Sequence, residues 1–135
     1  ISIPGPSCAH FRTDPEDRLL RHKTSVRPLY DRERERATAA GFFEVLFANR
    51  LDHATEGAIT NVCARFGTRW FTPPLADGLL PGIWRARFLQ ENDCEERSLT
   101  LDELAQADEI VLGNSVRGQV GVDEIVLNTH TGLFA

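Results

Sequence analysis

The amino-acid sequence predicts a single domain of the mixed α/β class. Its 135 residues are one domain's worth of chain, enough to bury roughly two thirds of the unfolded surface. An apolar content of 41% and a charged content of 26% are ordinary for a globular domain. Short apolar runs typical of strands outnumber the helical patterns and alternate with them along the chain, and this alternation predicts the class.

The first element that the pattern defines clearly is a helix near residue 30. Residues 1–18 hold a Pro-Gly-Pro run and are predicted to be a linker or edge segment, with the domain itself spanning residues 19–135. Pro28 suits the first turn of a helix, which we expect to run to about Ala40 and to end at Gly41. The alternating charges of residues 31–36 indicate a solvated helix face.

Three strands are predicted in the middle of the chain. Residues 42–48 are apolar on both faces except for Glu44, a pattern typical of a buried strand. Residues 58–66 and 68–72 are predicted as two further strands joined by a tight hairpin at Gly67. Two consecutive prolines at 73–74 end the third strand, because proline cannot donate a ladder hydrogen bond.

The last third of the chain continues the alternation of helix and strand. A helix is expected to begin at Pro81, with an apolar stripe that includes Trp84 and Phe88. Thr100 and Glu103 fit a capping box, which predicts a short helix to about residue 107. Residues 110–112 and 122–127 are predicted as strands. Between them, residues 113–118 form a glycine-flanked polar turn.

The charge distribution bears on the kind of partner. The formal net charge of −5 argues against a general nucleic-acid-binding protein, whose basic surface would dominate. Residues 1–36 carry eight Lys/Arg against six Asp/Glu, or +2, and residues 37–135 carry seven against fourteen, or −7. The mildly basic first quarter favours an anionic small-molecule ligand over a nucleic acid.

The apolar runs, cysteines and histidines of the sequence bear on the cellular compartment and on metal binding. No apolar run approaches 18 residues and no signal-peptide pattern stands at the start, so no membrane span is predicted. Three widely spaced cysteines are typical of a reducing cytoplasm, and four scattered histidines show no metal-binding spacing. Because the sequence has no methionine, we expect a processed chain or a piece of a longer protein.

Lys23 is the only lysine among the 15 basic residues, the other 14 being arginine. A guanidinium stays protonated and cannot act as a nucleophile or proton shuttle, whereas a desolvated lysine amine can form a Schiff base with an aldehyde such as pyridoxal phosphate. The alternative is one surface lysine left by codon bias.

Two other stretches could bind an anion. Gly82 leaves the first-turn N–H groups of the predicted helix open, which suits a phosphate. The polar turn at residues 113–118 could offer N–H and hydroxyl groups in the same way. Each stretch could equally be an ordinary loop.

Taken together, these stretches resemble the class IV, or fold-type IV, pyridoxal-phosphate enzymes over roughly residues 19–120. The family's order is a lysine, a TEG…N stretch, a TPP…GLLPG..R stretch and a polar turn after a strand. The matching residues here are Lys23, then 55–57 with Asn61, then 72–74 with 78–82 and Arg85, then 114–118. The resemblance implies the large domain of that fold: a mixed sheet curled towards a barrel, with helices outside.

Within the family, residues 22–31 and the turn at 114–118 look most like one subgroup. This is the aminodeoxychorismate-lyase-like domain fused to component I of para-aminobenzoate synthase. Branched-chain aminotransferases usually have a tyrosine five residues after the lysine, where this chain has Pro28. The family's smaller N-terminal domain, of about a hundred residues, has no counterpart in this sequence, so it or the synthase component is expected as a partner in the intact protein.

The resemblance assigns roles to six residues. Lys23 would bond covalently to the cofactor, pyridoxal 5'-phosphate, and would move the proton during the reaction. Glu56 would hydrogen-bond the pyridine nitrogen and keep it protonated. The four others would contact the phosphate or the ring: backbone N–H groups of Ile83 and Trp84, the hydroxyl of Ser115, and Leu80 against the ring face.

The implied reaction is the loss of pyruvate from 4-amino-4-deoxychorismate, which forms 4-aminobenzoate for folate synthesis. The implied assembly is a cytoplasmic homodimer. Two alternatives remain at this stage. One is an aminotransferase for an α-amino acid that uses the same cofactor. The other is a non-catalytic remnant that serves as an interaction or dimerisation module.

Overall fold

A computed structural model describes residues 7–13 and 27–122, with side chains over 27–122. Within these residues the order of elements is β1 (Ser7–Thr13), α1 (Arg27–Ala39), β2 (Val45–Asn49), β3 (Ala54–Gly57), β4 (Asn61–Phe66), β5 (Arg69–Thr72), a short 3-10 helix (Leu75–Asp77), α2 (Ile83–Glu91), β6 (Glu95–Glu96), α3 (Leu101–Ala105), β7 (Glu109–Asn114) and β8 (Gly118–Val122). The mixed α/β class is therefore confirmed.

The strands form two sheets, each with parallel and antiparallel neighbours. The first has the order β1-β2-β3, with β1 parallel to β2 at its edge and β3 antiparallel to β2. The second has the order β6-β5-β4-β7-β8, in which only β5 and β6 are parallel. The predicted mixed sheet is confirmed. None of the helices in the described ranges combines the length and the apolar composition that crossing a bilayer requires.

Helix α1 packs one face on the first sheet. Its buried residues Tyr30, Glu33 and Ala37 recur at helical spacing, and Tyr30 and Ala37 contact Val45 and Phe47 of β2. The helix begins and ends within one residue of its predicted bounds. Gly41 follows it with φ +92°, a left-handed conformation that favours glycine.

The predicted strand over residues 58–66 is confirmed from Asn61 to Phe66, with a start three residues later than expected, and strand β3 before it was missed. The structure has β3 before this range and β4 from Asn61, with a turn at 58–60 between them. Strand β3 is buried although two of its four residues are polar, so its composition hid it. The turn is fixed by Glu44, whose carboxylate accepts the Ile59 N–H at 3.0 Å and the Thr60 hydroxyl at 3.0 Å.

The predicted strand at residues 122–127 is described only at Val122, which ends a strand. The last described strand is β8, which pairs antiparallel with β7 from Gly118 to Val122. Residues 123–127 lie outside the described residues. Two glycines in β8 gave it the composition of a turn, and its strand geometry comes from the ladder with β7.

Helix α2 covers one face of the larger sheet. Phe88 lies with Cys63 and Val111 in a buried cluster, against which Trp84 and Cys94 are packed. The guanidinium of Arg85 is buried and donates to the Pro73 carbonyl at 3.0 Å, which ties the helix to the end of β5. The opposite face of the sheet packs against α3, whose predicted capping box is present.

Gly113 of β7 allows the Trp84 ring to lie directly on the strand. A Cβ atom at this position would overlap three atoms of the indole ring. We expect Gly113→Ala to lower the free energy of unfolding by about 1–3 kcal/mol, as overpacking does. Gly121→Ala in β8 is the matched control, because its Cβ would meet open space. Urea unfolding of both variants measures the difference, and equal stabilities would contradict the predicted overlap.

Candidate active site

A cleft of about 550 Å³ is lined by four parts of the chain. These are the start of α1, the end of β3 with the following turn, the segment before α2, and the turn between β7 and β8. Four of the predicted site residues line it: Glu56, Leu80, Ile83 and Ser115. Lys23 lies outside the described residues. It precedes Arg27 by four positions, and Arg27 lines the cleft.

Glu56 is the buried carboxyl group of this cleft. Its side chain belongs to β3, and the residue is only 4% exposed. The Leu80 N–H donates to Oε1 at 3.1 Å, and the Tyr30 hydroxyl donates to Oε2 at 3.2 Å. Burial raises the pKa of Glu56 to about 8, although both hydrogen bonds and the charge of Arg27 act to lower it. The two hydrogen bonds and the charge of Arg27 therefore do not offset the free-energy cost of burying the ionised carboxylate.

Tyr30 is a cleft residue to which the sequence analysis assigned no role. Its ring is stacked on Phe47, with centroids 4.0 Å apart, and its hydroxyl reaches Glu56. Burial and the neighbouring carboxylate raise the pKa of the phenol, so the hydroxyl stays protonated and donates. The helical spacing of Tyr30 with buried Glu33 and Ala37 was the available signal that its side chain faces inward.

The first turn of α2 presents open N–H groups. Gly82 is the N-cap and makes no side-chain capping hydrogen bond, so the N–H groups of Ile83, Trp84 and Arg85 remain available at the positive end of the helix dipole. Trp84 is not among the residues that line the cleft, and its side chain packs against Phe88, so only its backbone N–H is left as a donor at this helix start. Leu80 was predicted to lie against the ring face of the cofactor. The structure adds a main-chain contact, because the Leu80 N–H donates a hydrogen bond to Glu56.

Asn61 and Asn114 hold the loops around the cleft. Asn61 Nδ2 donates to the Leu80 carbonyl at 3.2 Å. Asn114 Nδ2 donates to the Ile59 carbonyl at 2.8 Å, while its Oδ1 accepts from the N–H groups of residues 116 and 117. Those two N–H groups are engaged. Ser115 also lines the cleft, and its hydroxyl is a further donor on this turn.

The cleft thus has a carboxyl group on one side and open N–H and hydroxyl donors on another. Glu56 supplies the carboxyl group, and the first turn of α2 with Ser115 supplies the donors. Among the described residues, no group of three or more His, Cys, Asp or Glu side chains is arranged to hold a metal ion. A small molecule with a protonated ring nitrogen and a phosphate would satisfy both sides.

The sequence profile of the amino-transferase class IV family matches residues 7–125. The chain belongs to this family. Pyridoxal 5'-phosphate is the cofactor of its enzymes, as the resemblance implied. The family assignment made from the sequence is confirmed, and the fusion to a synthase component stays a prediction.

Three similar proteins illustrate the range of activities near this chain. Aminodeoxychorismate lyase of Saccharomyces cerevisiae is 29% identical over 115 residues, which are 80% of this chain and 31% of the relative. A crystal structure of a putative amino-acid aminotransferase from Mesorhizobium loti is 41% identical, with a TM-score of 0.79 over 90% of this chain and 58% of that one. A putative 4-amino-4-deoxychorismate lyase from Legionella pneumophila is 27% identical, with a TM-score of 0.85 over 100% of this chain and 51% of that one.

The chain spans only part of each of these proteins. It covers about a third of the curated relatives and somewhat over half of the two solved structures just described.

Proposed function

We propose that this chain is the cofactor-binding large domain of a pyridoxal-phosphate-dependent 4-amino-4-deoxychorismate lyase, which releases pyruvate and forms 4-aminobenzoate for folate synthesis. The observation that carries cofactor binding is Glu56: a buried carboxyl in a cleft, with its pKa raised to about 8 and room beside it for a cation. The yeast lyase and the Legionella structure support the choice of reaction.

The donor set fits pyridoxal 5'-phosphate. Glu56 would pair with the ring nitrogen, and the N–H groups of Ile83 and Trp84 with the Ser115 hydroxyl would bind the phosphate. Lys23, the only lysine, would bond to the aldehyde carbon. When bound, the cofactor supplies an electron sink for the electrons that a departing α-proton leaves behind.

The chain's own residues then have distinct tasks. The Glu56 carboxylate keeps a proton on the ring nitrogen, because a buried anion gains most from a cationic partner. The amine of Lys23 would serve as the base that takes the α-proton of the substrate and returns a proton later in the reaction. Asn61 and Asn114 fix the loops, so the phosphate donors and Glu56 keep their spacing across the cleft.

The intact protein is proposed to be a cytoplasmic homodimer with further chain beyond this domain. Ile83 and Val116 stand at the cleft and are 65% and 91% exposed, although both are apolar. The greater length of the relatives supports a second domain, or the synthase component, as the part that covers this side.

An amino-acid aminotransferase is the second candidate. The 41% identity to the putative aminotransferase from Mesorhizobium loti favours it, and the cofactor end of the site serves both reactions. The two differ in what the substrate pocket binds and in the need for a second substrate. A lyase releases pyruvate with no acceptor, whereas an aminotransferase requires a keto acid to regain its starting state.

The deciding assay supplies 4-amino-4-deoxychorismate to the cofactor-loaded protein without a keto acid. Equal amounts of pyruvate and 4-aminobenzoate are expected, with Lys23→Ala as the inactive control. Product that forms only from an amino acid with added 2-oxoglutarate would favour the aminotransferase. A protein that is inactive with both substrates, and whose Lys23→Ala variant binds its protein partner normally, would favour the interaction module.

A further inference from the structure

Tyr30 is the only tyrosine in the chain and is 2% exposed. A buried phenol normally requires an acceptor for its hydroxyl. Here the acceptor is Oε2 of Glu56, 26 positions later in the sequence and on a different element. The ring of Tyr30 is itself fixed by stacking on Phe47 at an interplanar angle of 14°. The position of the hydroxyl is therefore set by the core and not by the cleft.

The carboxyl group of Glu56 is held from two sides. Oε2 accepts from Tyr30 of α1, and Oε1 accepts from the Leu80 N–H of the segment before α2. A carboxylate has about four lone-pair sites, so two of them remain for a ligand in the cleft. Without the bond from Tyr30, the carboxyl would be oriented by a single donor and could rotate about its terminal torsion.

We infer that Tyr30 is a positioning residue for Glu56: its neutral hydroxyl orients the carboxyl group in the cleft and stabilises its ionised form, ready for the cofactor's ring nitrogen. The pairing of Glu56 with a cofactor ring nitrogen rests on the proposed function. The contact between Tyr30 and Glu56 and its effect on ionisation do not depend on it.

Other charges around Glu56 act on the same group. Arg27 of α1 lowers the pKa of Glu56, and Glu44, before β2, raises it slightly. Arg27 is partly neutralised by Asp31, at 3.0 Å. The hydrogen bonds from Leu80 and Tyr30 are the larger favourable contributions to the ionised form. Removal of the Tyr30 hydroxyl should therefore raise the pKa of Glu56 further, above about 8.

The contact can be observed without any cofactor. Ring-fluorinated tyrosine, incorporated into the full chain, labels one position only, because the chain has one tyrosine. The fluorine NMR signal should titrate with a midpoint near the Glu56 pKa of about 8. The same transition should be missing from Glu56→Gln. A signal that titrates identically in both proteins, or in neither, would overturn the inference.

The effect of the Tyr30 hydroxyl on the ionisation of Glu56 is measured with Tyr30→Phe. This variant keeps the ring on Phe47 and removes only the hydroxyl. Carboxyl-carbon NMR with labelled glutamate should show the pKa of Glu56 raised by about one unit, a tenfold change in its ionisation constant. The dissociation constant for pyridoxal phosphate should rise about tenfold in parallel. Thr38→Val, which removes an exposed hydroxyl from the same helix, is the matched control and should change neither.

The outcomes separate this inference from the proposed function. If the parent chain fails to bind pyridoxal phosphate, the proposed function fails, while the two NMR measurements still decide whether Tyr30 sets the ionisation of Glu56. If the parent binds the cofactor and Tyr30→Phe leaves both the Glu56 pKa and the affinity unchanged, the positioning role is wrong although the function stands.

Discussion

Glu56→Gln is expected to weaken the binding of pyridoxal phosphate by about 10- to 100-fold, the effect of losing one charge-assisted hydrogen bond. Glutamine has nearly the same shape. Its single oxygen can still accept from the Leu80 N–H, and its NH2 group can donate to the Tyr30 hydroxyl oxygen, so the fold of the cleft should be kept. It lacks the negative charge that pairs with a protonated ring nitrogen. Fluorescence or absorbance titration with the cofactor measures the change.

The same substitution should alter how stability depends on pH in the cofactor-free protein. The pKa of Glu56 is about 8 in the folded protein against 4.5 in the unfolded chain, so the folded state holds a proton over this range and the unfolded state does not. The contribution of Glu56 to the free energy of unfolding is therefore fully present below about pH 4.5 and is lost as the pH rises towards about 8. The loss amounts to several kcal/mol, at about 1.4 kcal/mol per unit of pH.

Urea unfolding at a series of pH values tests this prediction. The parent should lose stability between about pH 5 and about pH 8, and Glu56→Gln should show a clearly flatter profile. Glu91→Gln is the control, because Glu91 is an exposed residue at the end of α2 and should leave the parent's profile unchanged. Identical slopes of unfolding free energy against pH in the parent and Glu56→Gln would show that the pKa of Glu56 is not raised. The argument that Glu56 binds a cationic ligand group would then fail.

Elements with strong local signals could be predicted from the sequence. Helix α1 has a proline in its first turn and a glycine after its end, and the hairpin at Gly67 has φ +64°, as a tight turn requires. The capping box at Thr100 and Glu103 is likewise a local pattern, and its two reciprocal hydrogen bonds are both present at 3.0 Å. In each case the interactions that define the element lie within a few residues.

Features that depend on distant contacts could not be predicted in this way. Strand β3 has a polar composition, and its burial is stabilised by partners on α1, β2 and the segment before α2. The bond between Tyr30 and Glu56 joins two elements that local periodicity cannot relate. Four of the residues predicted to contact the cofactor nevertheless line one cleft, because a family resemblance encodes the distant contacts that the local patterns omit.

Lys23→Ala should abolish the cofactor absorbance that survives desalting and should lower the proposed lyase activity by at least about 100-fold, the low end of what a positioned base contributes. The reason is chemical: the 14 arginines cannot replace the lysine, because a guanidinium stays protonated and does not bond to an aldehyde. Lys23→Arg is the sharper variant, since it keeps the positive charge of the side chain and removes only the amine chemistry. It should be as inactive as the alanine variant.

Covalent mapping is a direct test of the role of Lys23, because these 135 residues contain only one lysine. After borohydride reduction of the loaded protein, Lys23 is the only side-chain amine within these 135 residues to which the cofactor can be attached, besides the α-amino terminus of whichever chain is prepared. An unperturbed α-amine with a pKa of about 8 also reacts with aldehydes, so peptide mapping must separate the two. Attachment at Lys23, lost in Lys23→Arg, would establish that amine as the catalytic one. Attachment at the terminus alone would refute the assignment, since a random amine reaction needs neither Glu56 nor the cleft.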